Sequence, residues 1–149
     1  MIKNIIIKIL SLNDKNKYIN KFHKKSYYWY SHNHMILANF YAEKIRKKYN
    51  CYISPSAIWE ENIHFPHPTG IVIGDGVIIG KNCTIYQNVT IGRKNIDKAE
   101  YPIIGDNVII YSSSSILGNI HIGNKAIVGC NSVVLNNVNE NSIVVGVVK

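Results

Sequence analysis

The chain has 149 residues, of which 46% are hydrophobic, and this size and composition fit a single globular domain. Its net charge of +8 belongs to one end, because residues 1–50 carry eleven Lys and Arg against two acidic residues, whereas residues 51–149 carry six against seven. The apolar run at 5–10 is too short and too lysine-rich for a membrane span, and no cleavage site follows it. Three cysteines without a C-x-x-C pair are typical of packing residues in a reducing compartment. We therefore expect a cytoplasmic protein.

Residues 1–50 form a basic segment that contains no Pro and no Gly. Apolar residues at near-helical spacing predict a helix over 33–49. Cations in its last turn would oppose the negative end of the helix dipole. Looser helical spacing covers 2–12 and 15–30. Ser54-Pro55 then marks the change from helix to strand.

From residue 53 a large apolar residue recurs at every sixth position. A period of six fits neither an α-helix nor an alternating strand, but it fits a solenoid in which each short strand and turn directs one large and one small side chain inward. The sequence therefore predicts a triangular parallel β-helix over 51–149. The large inward side chains are expected to be those of Ile53, Trp59, Phe65, Ile73, Ile79, Ile85, Ile91, Ile104, Ile110, Ile116, Ile122, Val128 and Val134.

The repeat has two interruptions and an early end. We place two extra residues near 71–72 and seven within 91–103, where residues 93–103 should leave the wall as a loop. The repeat ends near Asn139, so Ser142–Lys149 is expected to be a short tail.

Apolar residues on the outer strand faces predict lateral association, and a triangular prism favours a homotrimer. The aligned inward positions form three edges, namely 53, 73, 91, 116 and 134; 59, 79, 104 and 122; and 65, 85, 110 and 128.

Two stretches carry a more specific pattern than the repeat itself. His64-Phe65-Pro66-His67-Pro68-Thr69-Gly70 and Tyr86-Gln87-Asn88-Val89-Thr90 resemble segments of the hexapeptide-repeat acyltransferases, especially their serine acetyltransferase branch. The resemblance covers roughly residues 35–149. It implies a mainly β protein, a left-handed parallel β-helix with an N-terminal α-helical segment. It also implies a trimer that holds acetyl-CoA in a groove between subunits.

His67 matches the catalytic histidine of that family, but three other positions depart from its serine-using members. Those members have an Asp where this chain has Pro66, a second His where it has Tyr101, and an orienting Asp where it has Tyr52. This combination looks more like the sugar O-acetyltransferases of capsule, exopolysaccharide or O-antigen synthesis. We therefore expect acetyl transfer from acetyl-CoA to a saccharide hydroxyl, with lipid-linked saccharides among the candidate acceptors.

The expected chemistry centres on His67 as general base. A neutral imidazole near pH 7 can take the proton of the attacking hydroxyl and return it to the leaving thiolate. Backbone N–H groups at the coil corners can stabilise the oxyanion. The stacking register predicts that Gln87 is a neighbour of His67. We expect acyl-donor contacts from Gln87, Ser112, Ser114, Gly129, Cys130 and Lys149, and acceptor contacts from Tyr101 and Arg93.

Several alternatives fit the same repeats. They are a serine O-acetyltransferase, an amino-sugar N-acetyltransferase and a hexapeptide scaffold without activity. No metal is expected, because His67 and His121 fall on different edges and cannot share an ion. The lysines and aromatic residues at 21–30 are expected to cap the first coil or to contact an anionic membrane or an acidic glycan. Nucleic acid is not an expected partner, because no binding motif accompanies them.

Overall fold

The computed structural model describes residues 14–149. Two helices come first, α1 (Lys15–Ser31) and α2 (Met35–Tyr49). Asp14 caps α1, because its carboxylate accepts hydrogen bonds from the backbone N–H groups of Asn16 and Lys17. Asn50 ends α2 in the left-handed conformation, which Asn tolerates well. The helices predicted over 15–30 and 33–49 are confirmed, whereas the one predicted over 2–12 lies outside the described residues.

Fourteen short parallel strands follow within the described chain and form three sheets. Sheet 1 contains β1 (Tyr52–Ile53), β3 (Val72–Ile73), β6 (Thr90–Gly92), β9 (Ser115–Leu117), β12 (Val133–Val134) and β14 (Val147–Val148). Sheet 2 contains β2 (Ile58–Trp59), β4 (Ile78–Ile79), β7 (Ile103–Ile104) and β10 (His121–Ile122). Sheet 3 contains β5 (Thr84–Ile85), β8 (Ile109–Ile110), β11 (Ile127–Val128) and β13 (Ile143–Val144). The fold is a left-handed parallel β-helix, as predicted.

The core is the stack of inward residues that the six-residue period predicts. Ile73 pairs with Ile91 in sheet 1, Ile79 with Ile104 in sheet 2, and Ile85 with Ile110 in sheet 3. The three predicted edges are therefore confirmed. Nearly all of these side chains are fully buried, because each coil covers the interior of the next.

The helices close one end of this core. Ile19 of α1 and Ile45 of α2 are fully buried in the same apolar cluster as Phe65. Asn16 accepts a hydrogen bond from the Phe65 backbone N–H at 2.7 Å, and Asn20 donates to the Ile63 carbonyl at 2.8 Å. The first coil is thus shielded from water. The division of the chain into a helical segment up to residue 50 and a β-helix domain from residue 51 stays a prediction.

Two details of the predicted repeat are corrected. Ser142–Lys149 is not a simple tail, because β13 and β14 continue sheets 3 and 1. The two extra residues lie before 71–72, between Phe65 and Thr69. His64 pairs with Thr84, and Thr69 accepts from the backbone N–H of Asn88, so the insertion must fall between these two contacts. The sequence shows only that the spacing is eight rather than six.

Candidate functional site

The inserted residues place His67 outside the regular wall. They lie at the corner where sheet 3 passes into sheet 1, which we call the His67 corner (residues 66–71, 86–89, 111–114 and 129–132). Pro68 is buried, and the Thr69 backbone N–H donates to the His67 carbonyl at 2.9 Å. The tight turn therefore points inward through Pro68, while His67 is exposed.

The residue level with Gln87 in the preceding coil is Thr69, not His67. Gln87 accepts from the Ser113 N–H at 3.0 Å, just as Thr69 accepts from the Asn88 N–H at 2.9 Å. We expected His67 to be the neighbour of Gln87, but Thr69, two residues later, occupies that position. The amide oxygen Oε1 of Gln87 is buried and has no hydrogen-bond partner in the described chain.

An aromatic pair, which the sequence reading missed, lies next to His67. The imidazole lies beside Tyr86, with 6.4 Å between ring centroids and 47° between planes. Tyr86 stacks on Tyr111 of the next coil at 5.1 Å and 22°. The sequence contained a signal for Tyr111. It directly follows an inward residue, and the equivalent position in other units is a glycine, as in Gly105, Gly123 and Gly129.

Ser114 does not line this surface. It is fully buried, and its hydroxyl donates to the backbone carbonyls of Tyr111 at 2.7 Å and of Gly129 at 2.8 Å. A hydroxyl committed to two interior carbonyls is not available to a bound ligand. The expected contact between Ser114 and the acyl donor is corrected on this ground.

The other residues expected to contact the acyl donor lie at or near the surface. Ser112 is half-buried and accepts from the Asn131 N–H at 3.0 Å through its carbonyl. Cys130 is an exposed free thiol at the same corner. Gly129 lies against Val145 of the following coil, and Lys149 is exposed just beyond β14.

The interrupted unit leaves the wall at a different corner. Residues 93–102 connect sheet 1 to sheet 2, and the Tyr101 ring lies against Gly76 at this corner. Arg93 donates to the Ile96 carbonyl at 3.0 Å within the loop. A groove of about 900 Å³ beside the loop is lined by Lys94 and Lys98, among others. Tyr101 and His67 of one chain therefore lie at different corners.

Burial shifts the pKa of groups away from this corner. The pKa of His23 falls to about 3, mainly because the ring is buried against Trp59, although a backbone hydrogen bond to Ala57 opposes the fall. Burial raises the pKa of Cys83 to about 11. Both groups are neutral near pH 7, which suits packing rather than acid–base or thiolate chemistry. Among residues 14–149, no three His, Cys, Asp or Glu side chains are grouped as metal ligands.

Part of the β-helix matches a known repeat family. Residues 101–136 match the family described as bacterial transferase hexapeptide (six repeats). This match supports a relation to the hexapeptide-repeat transferases. It is 34% identical over 137 residues to a serine acetyltransferase of Buchnera aphidicola from Acyrthosiphon pisum, an alignment that covers 87% of this chain and 50% of the relative.

Solved structures give the same result. A soybean serine acetyltransferase complexed with serine superposes with a TM-score of 0.85 and 34% identity, covering 91% of this chain and 56% of that one. A serine acetyltransferase complex with CoA gives a TM-score of 0.82 and 32% identity, with 89% and 55% covered. The chain thus spans about half the length of the relatives it matches.

These relatives correct the expected acceptor. The proteins that match most of this chain are serine acetyltransferases, so our prediction of polysaccharide O-acetylation was wrong. The prediction depended on the absence of three side chains, at Pro66, Tyr101 and Tyr52. A missing side chain shows that one contact differs, but it does not identify another substrate. Among residues 14–149, no helix is long and apolar enough to span a bilayer.

Proposed function

We propose that this chain catalyses acetyl transfer from acetyl-CoA to the hydroxyl of serine. The observation that carries the proposal is the exposed imidazole of His67, on a two-residue insertion beside a polar corner, in a fold that superposes on serine acetyltransferases along most of this chain. Those relatives include structures complexed with CoA and with serine.

In the proposed reaction His67 is the catalytic base. Its free ring nitrogen takes the hydroxyl proton as the oxygen attacks the thioester carbon, and the charge moves to the carbonyl oxygen. Backbone N–H groups of the corner stabilise this oxyanion. The carbon–sulfur bond then breaks, and the imidazolium returns the proton to the thiolate. The products are the acetyl ester and free CoA, and no covalent enzyme intermediate is needed because the two substrates are held together.

The proposed acyl-donor surface follows the axis of the β-helix from His67. It contains the corner residues Gln87, Ser112, Gly129 and Cys130 and ends near Lys149, whose ammonium can pair with a phosphate. Ser114 is omitted because its hydroxyl is bonded in the interior.

The proposed acceptor residues, Arg93 and Tyr101, are best placed by a second copy of the chain. They lie at the sheet 1–sheet 2 corner, whereas His67 lies at the sheet 3–sheet 1 corner. Strand residues such as Val72, Ile78 and Ile103 leave apolar side chains exposed on the flat outer faces. We therefore propose a homotrimer, in which the loop of one subunit faces His67 of the next.

Release of free thiol from acetyl-CoA tests the reaction. The purified chain is incubated with acetyl-CoA and L-serine, and parallel reactions contain no acceptor or an amino sugar. We expect thiol release that depends on L-serine, together with O-acetylserine in the product mixture. Failure to bind acetyl-CoA would favour a scaffold without activity, and release with the amino sugar alone would favour N-acetylation. Either result would overturn the proposal.

We also propose that the helical segment contacts an anionic membrane surface. Residues 14–50 carry nine Lys and Arg against Asp14 and Glu43. At one end of α2, Ile36 is 87% exposed and Phe40 is 52% exposed. Apolar side chains beside cations bind anionic lipid headgroups and the adjacent acyl region.

Flotation with lipid vesicles tests this contact. The chain should float with vesicles that contain phosphatidylserine but not with phosphatidylcholine alone, and added salt should release it. Lys44→Gln with Lys47→Gln should weaken flotation, whereas Lys125→Gln on the β-helix should not. Equal behaviour of the two variants would exclude the proposed surface.

A further inference from the structure

We infer that Tyr86, held in place by Tyr111, is the positioning residue for the His67 imidazole. The inference rests on the proposed function for its kinetic consequence. The geometry that suggests it does not depend on any substrate. It concerns what fixes the direction of the base within one subunit.

The imidazole of His67 has no hydrogen-bond partner within residues 14–149. Its carbonyl accepts from the Thr69 backbone N–H, but none of the described hydrogen bonds involves a ring nitrogen of His67. The position before it is Pro66, which has no polar side chain, and Tyr52, which stands where serine-using members of the family have an orienting Asp, is exposed. A general base must point at the proton it removes, so ring packing is the available means of orientation.

Tyr86 supplies that packing contact. The ring is half-buried and lies 6.4 Å from the imidazole at 47°, which is within the range of favourable tilted aromatic pairs. Tyr111 stacks on Tyr86 at 5.1 Å and 22°, so one face of the Tyr86 ring is covered. A tyrosine free on both faces could rotate away, whereas stacking on Tyr111 restricts the Tyr86 ring to its place beside His67.

The repeat pattern indicates that this pair is not required by the fold. Tyr111 stands level with Gly129 of the next coil, because Ile110 pairs with Val128. The next coil therefore forms the same backbone with a glycine at this position, so the fold does not require a side chain there. Neither Tyr86 nor Tyr111 uses its hydroxyl in a hydrogen bond within the described chain. The pair contributes two aromatic rings to the corner and no polar contact.

This arrangement has a chemical consequence. A carboxylate partner would orient a histidine through a directional hydrogen bond, but a stacked ring restricts the imidazole and leaves both of its nitrogens free. One nitrogen can then serve as the base without breaking an internal hydrogen bond. Loss of the stack should lower the fraction of correctly directed imidazole and hence kcat, with little effect on acetyl-CoA binding.

The first experiment measures ring position without activity. The His67 Cε1–H resonance is assigned by its absence in His67→Ala, and its chemical shift carries the ring current of Tyr86. We expect the shift to move in Tyr86→Leu and in Tyr111→Ala and to stay in place in Tyr86→Phe and Tyr111→Phe. An unchanged resonance in Tyr86→Leu would overturn the inference, whether or not the protein is an acetyltransferase.

The second experiment measures kinetics with Tyr111→Phe as the matched control. We expect Tyr111→Ala to lower kcat about tenfold, as a misplaced catalytic group does, with KM for acetyl-CoA unchanged. Tyr111→Phe should restore the wild-type rate. In a His67→Ala background, Tyr111→Ala should cause no further loss, because it acts through the imidazole.

Two kinetic results would contradict the inference. A rise in KM without a fall in kcat would make Tyr111 a ligand contact. A full additional loss in the His67→Ala background would mean that Tyr111 acts independently of His67. If the wild type released no thiol, the proposed function would fail, and the resonance measurement would still decide the positioning role.

Discussion

The regular wall, which is formed by the strands of the three sheets, and the His67 corner are built from the same repeat but differ in the exposure of their side chains. In the wall, Ile73, Ile91 and Ile116 are equivalent residues of successive coils, and all three are fully buried. At the corner, two extra residues interrupt the equivalence, and His67 is exposed. Regular stacking buries side chains because each coil covers the next. The inserted turn has no equivalent in the neighbouring coil, so no coil covers the His67 side chain, which can meet a substrate, while Pro68 fills the interior.

Replacement of His67 should produce the largest kinetic effect. His67→Ala is expected to lower kcat by about 10²- to 10⁴-fold, because it removes the general base. Thermal unfolding and oligomeric state should stay unchanged, since the side chain is exposed. His64→Ala, which removes another exposed imidazole of the same coil, is the matched control. Equal rates in the two variants would remove His67 from the reaction.

Replacement in the wall should show the opposite pattern. Ile91→Ala is expected to lower the free energy of unfolding by about 2–5 kcal/mol, because it opens a cavity in a fully buried stack. Guanidinium unfolding measures the loss, and the fraction that stays folded should retain kcat. Ile96→Ala in the loop, where the side chain is 76% exposed, should change stability by less than about 0.5 kcal/mol. Similar losses in both would contradict the assigned core.

Burial of the His23 ring of α1 against Trp59 should make the free energy of unfolding depend on pH. The pKa of His23 is about 3 in the folded chain, whereas an unfolded histidine titrates near 6.5. Between these values the unfolded state binds the proton and the folded state does not, so stability falls as the pH falls. We expect a slope of about 1.4 kcal/mol per pH unit between pH 6 and pH 4.

Urea unfolding at several pH values measures this slope. His23→Phe should flatten it, because no imidazole remains to be protonated at this buried position. His32→Gln, which changes an exposed histidine of the helical segment, should keep it. A slope that persists in His23→Phe would show that another group is responsible.

The two serines at the His67 corner should separate stability from binding. Ser114→Ala is expected to lower the free energy of unfolding by about 1–3 kcal/mol, because it leaves the carbonyls of Tyr111 and Gly129 without a donor. Ser112→Ala should instead raise KM for acetyl-CoA and leave unfolding unchanged. Denaturation and steady-state kinetics of both variants test the distinction. A larger loss of stability in Ser112→Ala than in Ser114→Ala would contradict it.

The six-residue period was enough to predict the helical stack and its register. It identified Ile79 and Ile104 as neighbours across a gap of 25 positions, and the structure pairs them. The period failed where it was interrupted. Phe65 and Ile73 are eight residues apart, and the spacing alone does not say which residues leave the wall. The period did place Ser114, four residues after Ile110, at the small inward position, and the expected contact between Ser114 and the acyl donor overlooked this.

The sequence by itself determined the repeat, the three edges and the likeness that leads to His67, because a fixed period and a conspicuous insertion are readable along one dimension. Only the tertiary structure decided that Thr69 rather than His67 is level with Gln87, that Tyr86 stacks on Tyr111, and that the tail continues the sheets. The physical reason is that these features depend on contacts between coils. Each contact joins residues about one coil apart, and where the count of a coil is irregular, only the hydrogen bonds between strands fix which residues meet.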